Sequence, residues 1–312
     1  MGFFSSLFQV KTEEDQQQKA DLKNFDILKY DGIRAQRMGK TEYAVKCFTE
    51  ALKIQKDLET MKYLISACFT LNRHDQALEV LHEMVETGEE PAVTLLMRAN
   101  FFLTMEKYAE ALADCVQAIE LEPNNYFAFF LSAKSELALG EPAKAIEHID
   151  HATEIKENFA EGYTLRANIH LVMEKKNDAL SDIEKVIELT PEDEMAYLLR
   201  GRIHELLDDT DAALADYQQA LELNPFHEEA WLMAGRLMMA REKYDEAIAL
   251  FDEAIEHIDK FTRAYAARAF AKHQTGDHEG ALADEEKAAE FTPDEKPNSI
   301  GNNFNDLYKN VL

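Results

Sequence analysis

Apolar positions in this chain fall on a fixed beat, marked by Ala44, Ala77, Ala111, Ala145, Ala179, Ala213, Ala247 and Ala281, the first gap being 33 residues and the other six 34. With each alanine as position zero, the residue one later is always aliphatic, from Val45 and Leu78 to Ile248 and Leu282. Four later stand Phe48, Leu81, Cys115, Ile149, Ile183, Tyr217, Phe251 and, out of character, Glu285; seven later stand Ala51, Met84, Ala118, Ala152, Val186, Ala220, Ala254 and Ala288. Offsets of 0, 1, 4 and 7 share one face of a helix. A second helix precedes it. Sixteen before the alanine the residue is large (Leu28, Met61, Leu95, Phe129, Tyr163, Tyr197, Trp231, Tyr265), and twelve before it is small in every repeat except the second, which has Ile65. Small residues there let two helix backbones approach while the large neighbour fills the gap.

Breakers divide the helices. Pro123, Pro191, Pro225 and Pro293 stand twelve after their alanines and cannot continue a helix interior, so they mark the turn between hairpins. Gly39, Gly140 and Gly276, five before theirs, mark the turn within a hairpin. A period of this length signifies stacked helical hairpins sharing one continuous core, which overrides the prior of about two globular domains for a chain of this length.

The large–small–alanine–aromatic–alanine–proline pattern resembles the tetratricopeptide repeat family, best in Tyr197, Gly201, Ala213, Tyr217, Ala220 and Pro225 and nearly as well in Trp231, Gly235, Tyr244, Ala247, Phe251 and Ala254. The resemblance covers about residues 25–295. It implies an all-α, right-handed α–α superhelical solenoid of about eight hairpins. Residues 1–24 then form an N-terminal arm. After the breaker at 297–301, Phe304, Leu307, Tyr308, Val311 and Leu312 run i, i+3, i+4, i+7, i+8, predicting a C-terminal capping helix over 296–312. The 40–60 junction and the second repeat are the weakest places.

One charged pair travels together. Four repeats carry arginine thirteen before the alanine (Arg98, Arg166, Arg200, Arg268), and the same four carry aspartate three after it (Asp114, Asp182, Asp216, Asp284). The other four have neither. The simplest cause is a structural ion pair between the two helices of one hairpin, because a partly buried charge without a partner is costly.

In the resembled family the first helix of each hairpin lines a concave surface where ligand peptides lie. The resemblance therefore implies an inward-facing, peptide-binding set of Leu96, Asn100, Phe127, Phe130, Lys134, Asn168, Leu198, Arg202, Leu232 and Arg236. Asparagine can hydrogen-bond an extended backbone as donor and acceptor at once. Lysine and arginine favour a ligand carrying carboxylates. The polar clamp some relatives use for chaperone C-termini is not reproduced, since Leu131 and Leu165 stand where it needs polar groups, so a chaperone-tail receptor is disfavoured.

Composition narrows the rest. Lys and Arg number 33 against 60 Asp and Glu, a net charge of −27, which argues against nucleic-acid backbones and anionic membranes as partners. Cys47, Cys68 and Cys115 form no CxxC pair, which disfavours a disulfide framework or a zinc site and favours a reducing compartment. No stretch approaches the roughly 20 apolar residues that span a bilayer. The start lacks the basic region of a signal peptide, although Gly2 and Ser6 match a short myristoylation pattern. Of the ten histidines, His148 and His151 lie three apart and His170 and His204 occupy equivalent places, the latter two expected to meet each other; neither pair has further ligands at metal spacing. No nucleophile elbow or phosphate-cradling loop is present. These features predict a cytoplasmic, non-enzymatic interaction module without metal or cofactor, monomeric or weakly dimeric, binding a protein segment in its groove. The alternative is an assembly protein that self-associates through the apolar patch at residues 3–8 and the 304–312 segment.

Overall fold

The computed structural model describes the backbone of residues 2–291 and the side chains of residues 17–291. The segments expected to cap the array or to self-associate, 296–312 and the side chains of residues 3–8, lie outside the described residues. The arm expected over residues 1–24 is helical from Gly2 and continuous with the first helix of the first hairpin. Among the described residues there are sixteen α-helices and no strand.

The chain divides into two compact units, Met1–Lys156 and Glu157–Leu312. In the first, the hairpins are α1 (Gly2–Arg37) with α2 (Thr41–Ile54), α3 (Leu58–Thr70) with α4 (His74–Thr87), α5 (Pro91–Thr104) with α6 (Tyr108–Leu121), and α7 (Tyr126–Ala138) with α8 (Pro142–Ile155). The second holds α9 (Ala160–Val172) with α10 (Lys176–Leu189), α11 (Glu194–Leu206) with α12 (Thr210–Leu223), α13 (Glu228–Ala240) with α14 (Tyr244–His257), and α15 (Thr262–Thr275) with α16 (His278–Phe291). Within each unit every helix packs on its hairpin partner and on the helix that follows. The residue missing from the first period falls in the linker at residues 55–57, one shorter than the linkers at 122–125, 190–193 and 224–227.

The eight marking alanines are fully buried. Their second helices meet the first helices through a pairing of residue sizes. Glycine stands twelve before the alanine wherever an aromatic ring stands four after it: Gly32 with Phe48, Gly201 with Tyr217, Gly235 with Phe251. A Cβ on Gly201 would lie 2.5 Å from the Tyr217 ring, inside van der Waals contact. Where the later residue is Cys115, Ile149, Ile183 or Glu285, alanine suffices at the earlier place.

Each hairpin turns through one residue of positive φ, five before the alanine. Glycine fills it in only three hairpins; Asn72, Glu106, Glu174, Asp208 and Glu242 fill the others at φ between 55° and 63°. The sequence pattern marks only the glycine turns, because a left-handed glutamate has no signature of its own. Between hairpins, the large residue at the start of the first helix ties down the proline linker: Trp231 Nε1 donates to the Pro225 carbonyl at 2.9 Å and the Tyr197 hydroxyl to the Pro191 carbonyl at 3.2 Å.

A polar layer crosses five of the eight hairpins. Arg98, Arg166, Arg200 and Arg268 each donate through Nε and Nη2 to Asp114, Asp182, Asp216 and Asp284, with Nη2–Oδ1 distances of 2.6, 2.6, 2.6 and 2.5 Å. The aspartates are buried. Three of the guanidinium groups also lie over the tyrosine one turn earlier, Arg166 on Tyr163 at 5.1 Å, Arg200 on Tyr197 at 5.5 Å and Arg268 on Tyr265 at 5.4 Å. His170 and His204 do not meet each other. Each turns to the aspartate of its own hairpin, at 3.7 Å from Asp182 and Asp216, whose negative charge attracts the imidazole. The fourth hairpin inverts the arrangement: buried Glu136 stands on the first helix and His148 Nδ1 reaches it at 2.6 Å from the second. The first, second and seventh hairpins put Cys47, Val80 and Leu250 where the others have a polar group. The three cysteines are buried and unpaired, and burial pushes the Cys115 thiol up to about 12.

Candidate functional site

A recess opens on the first-helix face of the first unit. Between α3 and α5 lies a cavity of about 380 Å³, walled by Ile65 and Phe69 of α3, Met97 and Phe101 of α5, and Leu81 of α4. Its origin is local. Ile65 occupies the place held by glycine or alanine in every other hairpin, so α3 carries a bulky side chain where close helix approach is otherwise built in. Phe69 is 48% exposed, meets Phe101 edge-on with centroids 6.4 Å apart, and shares His74 as a neighbour at 5.7 Å.

Polar groups at the rim are mostly engaged. Lys62 pairs with Glu90 at 3.0 Å, and Thr70 and Thr104 donate to the backbone carbonyls of Ser66 and Phe101. Asn100 is exposed, and its carboxamide has no hydrogen bond among the described residues. An apolar recess beside a free amide suits a peptide that inserts one apolar side chain and offers its backbone alongside. Sequence reasoning began the groove at Leu96 and passed over Phe69, which sits at an inward place eight before its alanine. That aromatic in the weakest repeat was the available signal.

On α7 the same unit brings together Phe127, Phe130 and Lys134. The two rings stack with centroids 5.9 Å apart and 27° between planes, and Lys134 Nζ lies 5.6 Å from the centre of Phe130. Phe127 and Lys134 are exposed.

In the second unit the inward set changes character. Asn168 and Arg202 are exposed, but Arg202 Nη2 is bound to Glu229 at the start of α13. Arg236 is half-buried and bound to Glu205 of α11, which also accepts the Tyr217 hydroxyl. Burial, reinforced by that carboxylate, pushes the Tyr217 phenol above its usual range. Two of the three cations expected to draw an acidic ligand are thus satisfied within the fold, a consequence of placing arginines 27 to 31 residues from carboxylates on a 34-residue repeat.

Leu96, Leu198 and Leu232 require a correction. All three are buried within hairpin-core clusters, not open on a groove. They stand fifteen before the alanine, one turn ahead of the small residue at twelve before, so they share the helix face that packs. Among the described residues no three His, Cys, Asp or Glu side chains are placed to hold a metal ion, and no helix is long and apolar enough to cross a membrane.

Two tetratricopeptide-repeat family models match the chain, one over residues 102–169 and 206–270 and the other over 164–227. No curated protein matches it. Among solved structures, that of PilF from Pseudomonas aeruginosa is 19% identical with a TM-score of 0.54, covering 66% of this chain and 94% of that one. YrrB, described as a TPR protein with an unusual peptide-binding site, is 24% identical with a TM-score of 0.47, covering 58% and 93%. MamA is 22% identical with a TM-score of 0.48, covering 53% and 91%. At such identities the likeness is one of fold.

Proposed function

The chain belongs to the tetratricopeptide repeat family, whose members are generally non-enzymatic interaction modules, and from that premise we propose that it is a scaffold binding a segment of a partner protein on its first-helix face. The observation that carries this reading is the α3–α5 recess, with Phe69 half-exposed over apolar walls and Asn100 free at the rim. A single exposed ring would mean little, but Phe69 adjoins Phe101 and the apolar side chains of Ile65 and Met97 in one contiguous recess, and contiguous apolar surface marks binding sites. Phe127, Phe130 and Lys134 on α7 extend the same face with aromatic surface and one cation that has no ion pair among the described residues. A prefolded array loses little entropy on binding, so the cost of ordering falls on the ligand.

Affinity capture with the wild type and with a Phe69→Asp/Asn100→Ala/Lys134→Ala variant of unchanged helix content tests the reading. Partners retained by the wild type are expected to be lost from the variant. Identical partner sets from both would remove the first-helix face from the function.

A further inference from the structure

A second recess lies in the second unit, on the side of the second helices, between α12 and α14. Its volume is about 570 Å³. Leu221 and Leu250 contribute apolar surface; Leu250 stands where four other hairpins hold the paired aspartate. One wall is aromatic and held in place. The His257 ring stacks on Trp231 with centroids 6.0 Å apart and 22° between planes, Phe226 meets His257 edge-on at 6.4 Å, and the Trp231 indole is anchored to the Pro225 carbonyl.

Two carboxylates, Glu222 of α12 and Glu253 of α14, line the recess, and neither has an ion pair among the described residues. The repeat register shows how unusual this is. At the equivalent places of α10 and α16, Lys185 pairs with Glu188 and Lys287 with Glu290, each at 2.8 Å. In α12 the lysine's place is taken by Gln219, which leaves Glu222 uncompensated, and in α14 the same place is Glu253 itself. Two solvated carboxylates alone would mean little in a chain of net charge −27. Here they flank a recess that also offers two leucines and a preorganised aromatic wall.

We propose that this recess binds an arginine side chain of a basic partner segment. A guanidinium is flat enough to lie against the exposed His257 ring, which the buried indole backs, carries donors for two carboxylates, and sheds water more readily than an ammonium. The site is independent of the first-helix face, shares no residue with it, and would remain if that face proved idle.

Trp231 is the chain's sole tryptophan, so its emission reports the site directly. The test titrates the full chain with the capped peptide Gly-Arg-Gly and, separately, with its neutral citrulline analogue. The arginine peptide is expected to give a saturable emission change with a Kd about tenfold lower than the analogue, weakening as salt rises. The isosteric variant Glu222→Gln/Glu253→Gln should bring the arginine peptide down to the analogue's level. Gln219→Lys, which restores the internal partner seen in α10, should weaken binding while leaving both carboxylates in place. Equal titrations with the two peptides, an unchanged Kd in Glu222→Gln/Glu253→Gln, or wild-type binding by Gln219→Lys would each overturn the assignment.

Discussion

The sixth and seventh hairpins are neighbours in one unit, share the glycine–aromatic contact, and solve the space between their helices in opposite ways. The sixth buries a fork of Arg200 on Asp216, with Tyr197 against the guanidinium. The seventh puts Ala234 and Leu250 in those two places and packs a continuous apolar core around Trp231, Leu237 and Phe251. One fold accepts both because a fully satisfied bidentate pair and a well-packed apolar pair have similar net worth. A pair with one member missing has neither advantage.

The largest expected effect tests that last point. Arg200→Leu leaves Asp216 buried, with His204 at 3.7 Å as its remaining basic neighbour, and should cost about 3–5 kcal/mol. Denaturant unfolding measures the cost, and hydrogen exchange should localise it to α11 and α12. Arg200→Ala/Asp216→Leu imports the seventh hairpin's solution and should return stability to within about 1 kcal/mol of the wild type. If Arg200→Leu were as stable as the wild type, the two solutions would not differ in the way argued.

A smaller effect probes what the two hairpins share. Gly201→Ala and Gly235→Ala drive a methyl into the Tyr217 and Phe251 rings and should each cost about 1–3 kcal/mol. Adding Phe251→Ile to Gly235→Ala recreates the Ala167–Ile183 combination of the fifth hairpin, and thermal unfolding should show most of the loss recovered. No recovery would mean that the size pairing is incidental.

The smallest effect separates their turns. Asp208 and Glu242 both hold positive φ, at 63° and 59°. Aspartate tolerates this backbone better than glutamate, so Glu242→Gly should stabilise by about 0.5 kcal/mol and Asp208→Gly by close to zero. Equal gains in melting temperature would contradict that ordering.

Much of the fold was legible because packing repeats. Ala213, Tyr217 and Ala220 face the same neighbours as their counterparts 34 residues away, so a periodic demand leaves a periodic mark. The correlated arginines and aspartates were legible for the same reason, since a buried charge constrains two positions at once. The turns were half legible: Gly140 announces itself and Glu174, in the same conformation, does not.

The site was harder to read because it lies where the repeat is broken. Ile65 looked like a poor match to the pattern, and it is at this poor match that the recess beneath Phe69 opens. Leu198 and Leu232 looked inward-facing by register, yet they are buried in the hydrophobic core. Arg202 and Arg236 looked free by composition and are held by Glu229 and Glu205.

From sequence alone came the helical-hairpin architecture, its period and its internal charged layer, all consequences of short-range spacing along a helix and identical contacts in successive units. Only tertiary structure decided which surface residues are open, which cations are already neutralised and where recesses form. Those depend on atoms about 30 residues apart in sequence coming into contact in space, and on side-chain sizes at breaks in the period, for which no spacing rule exists.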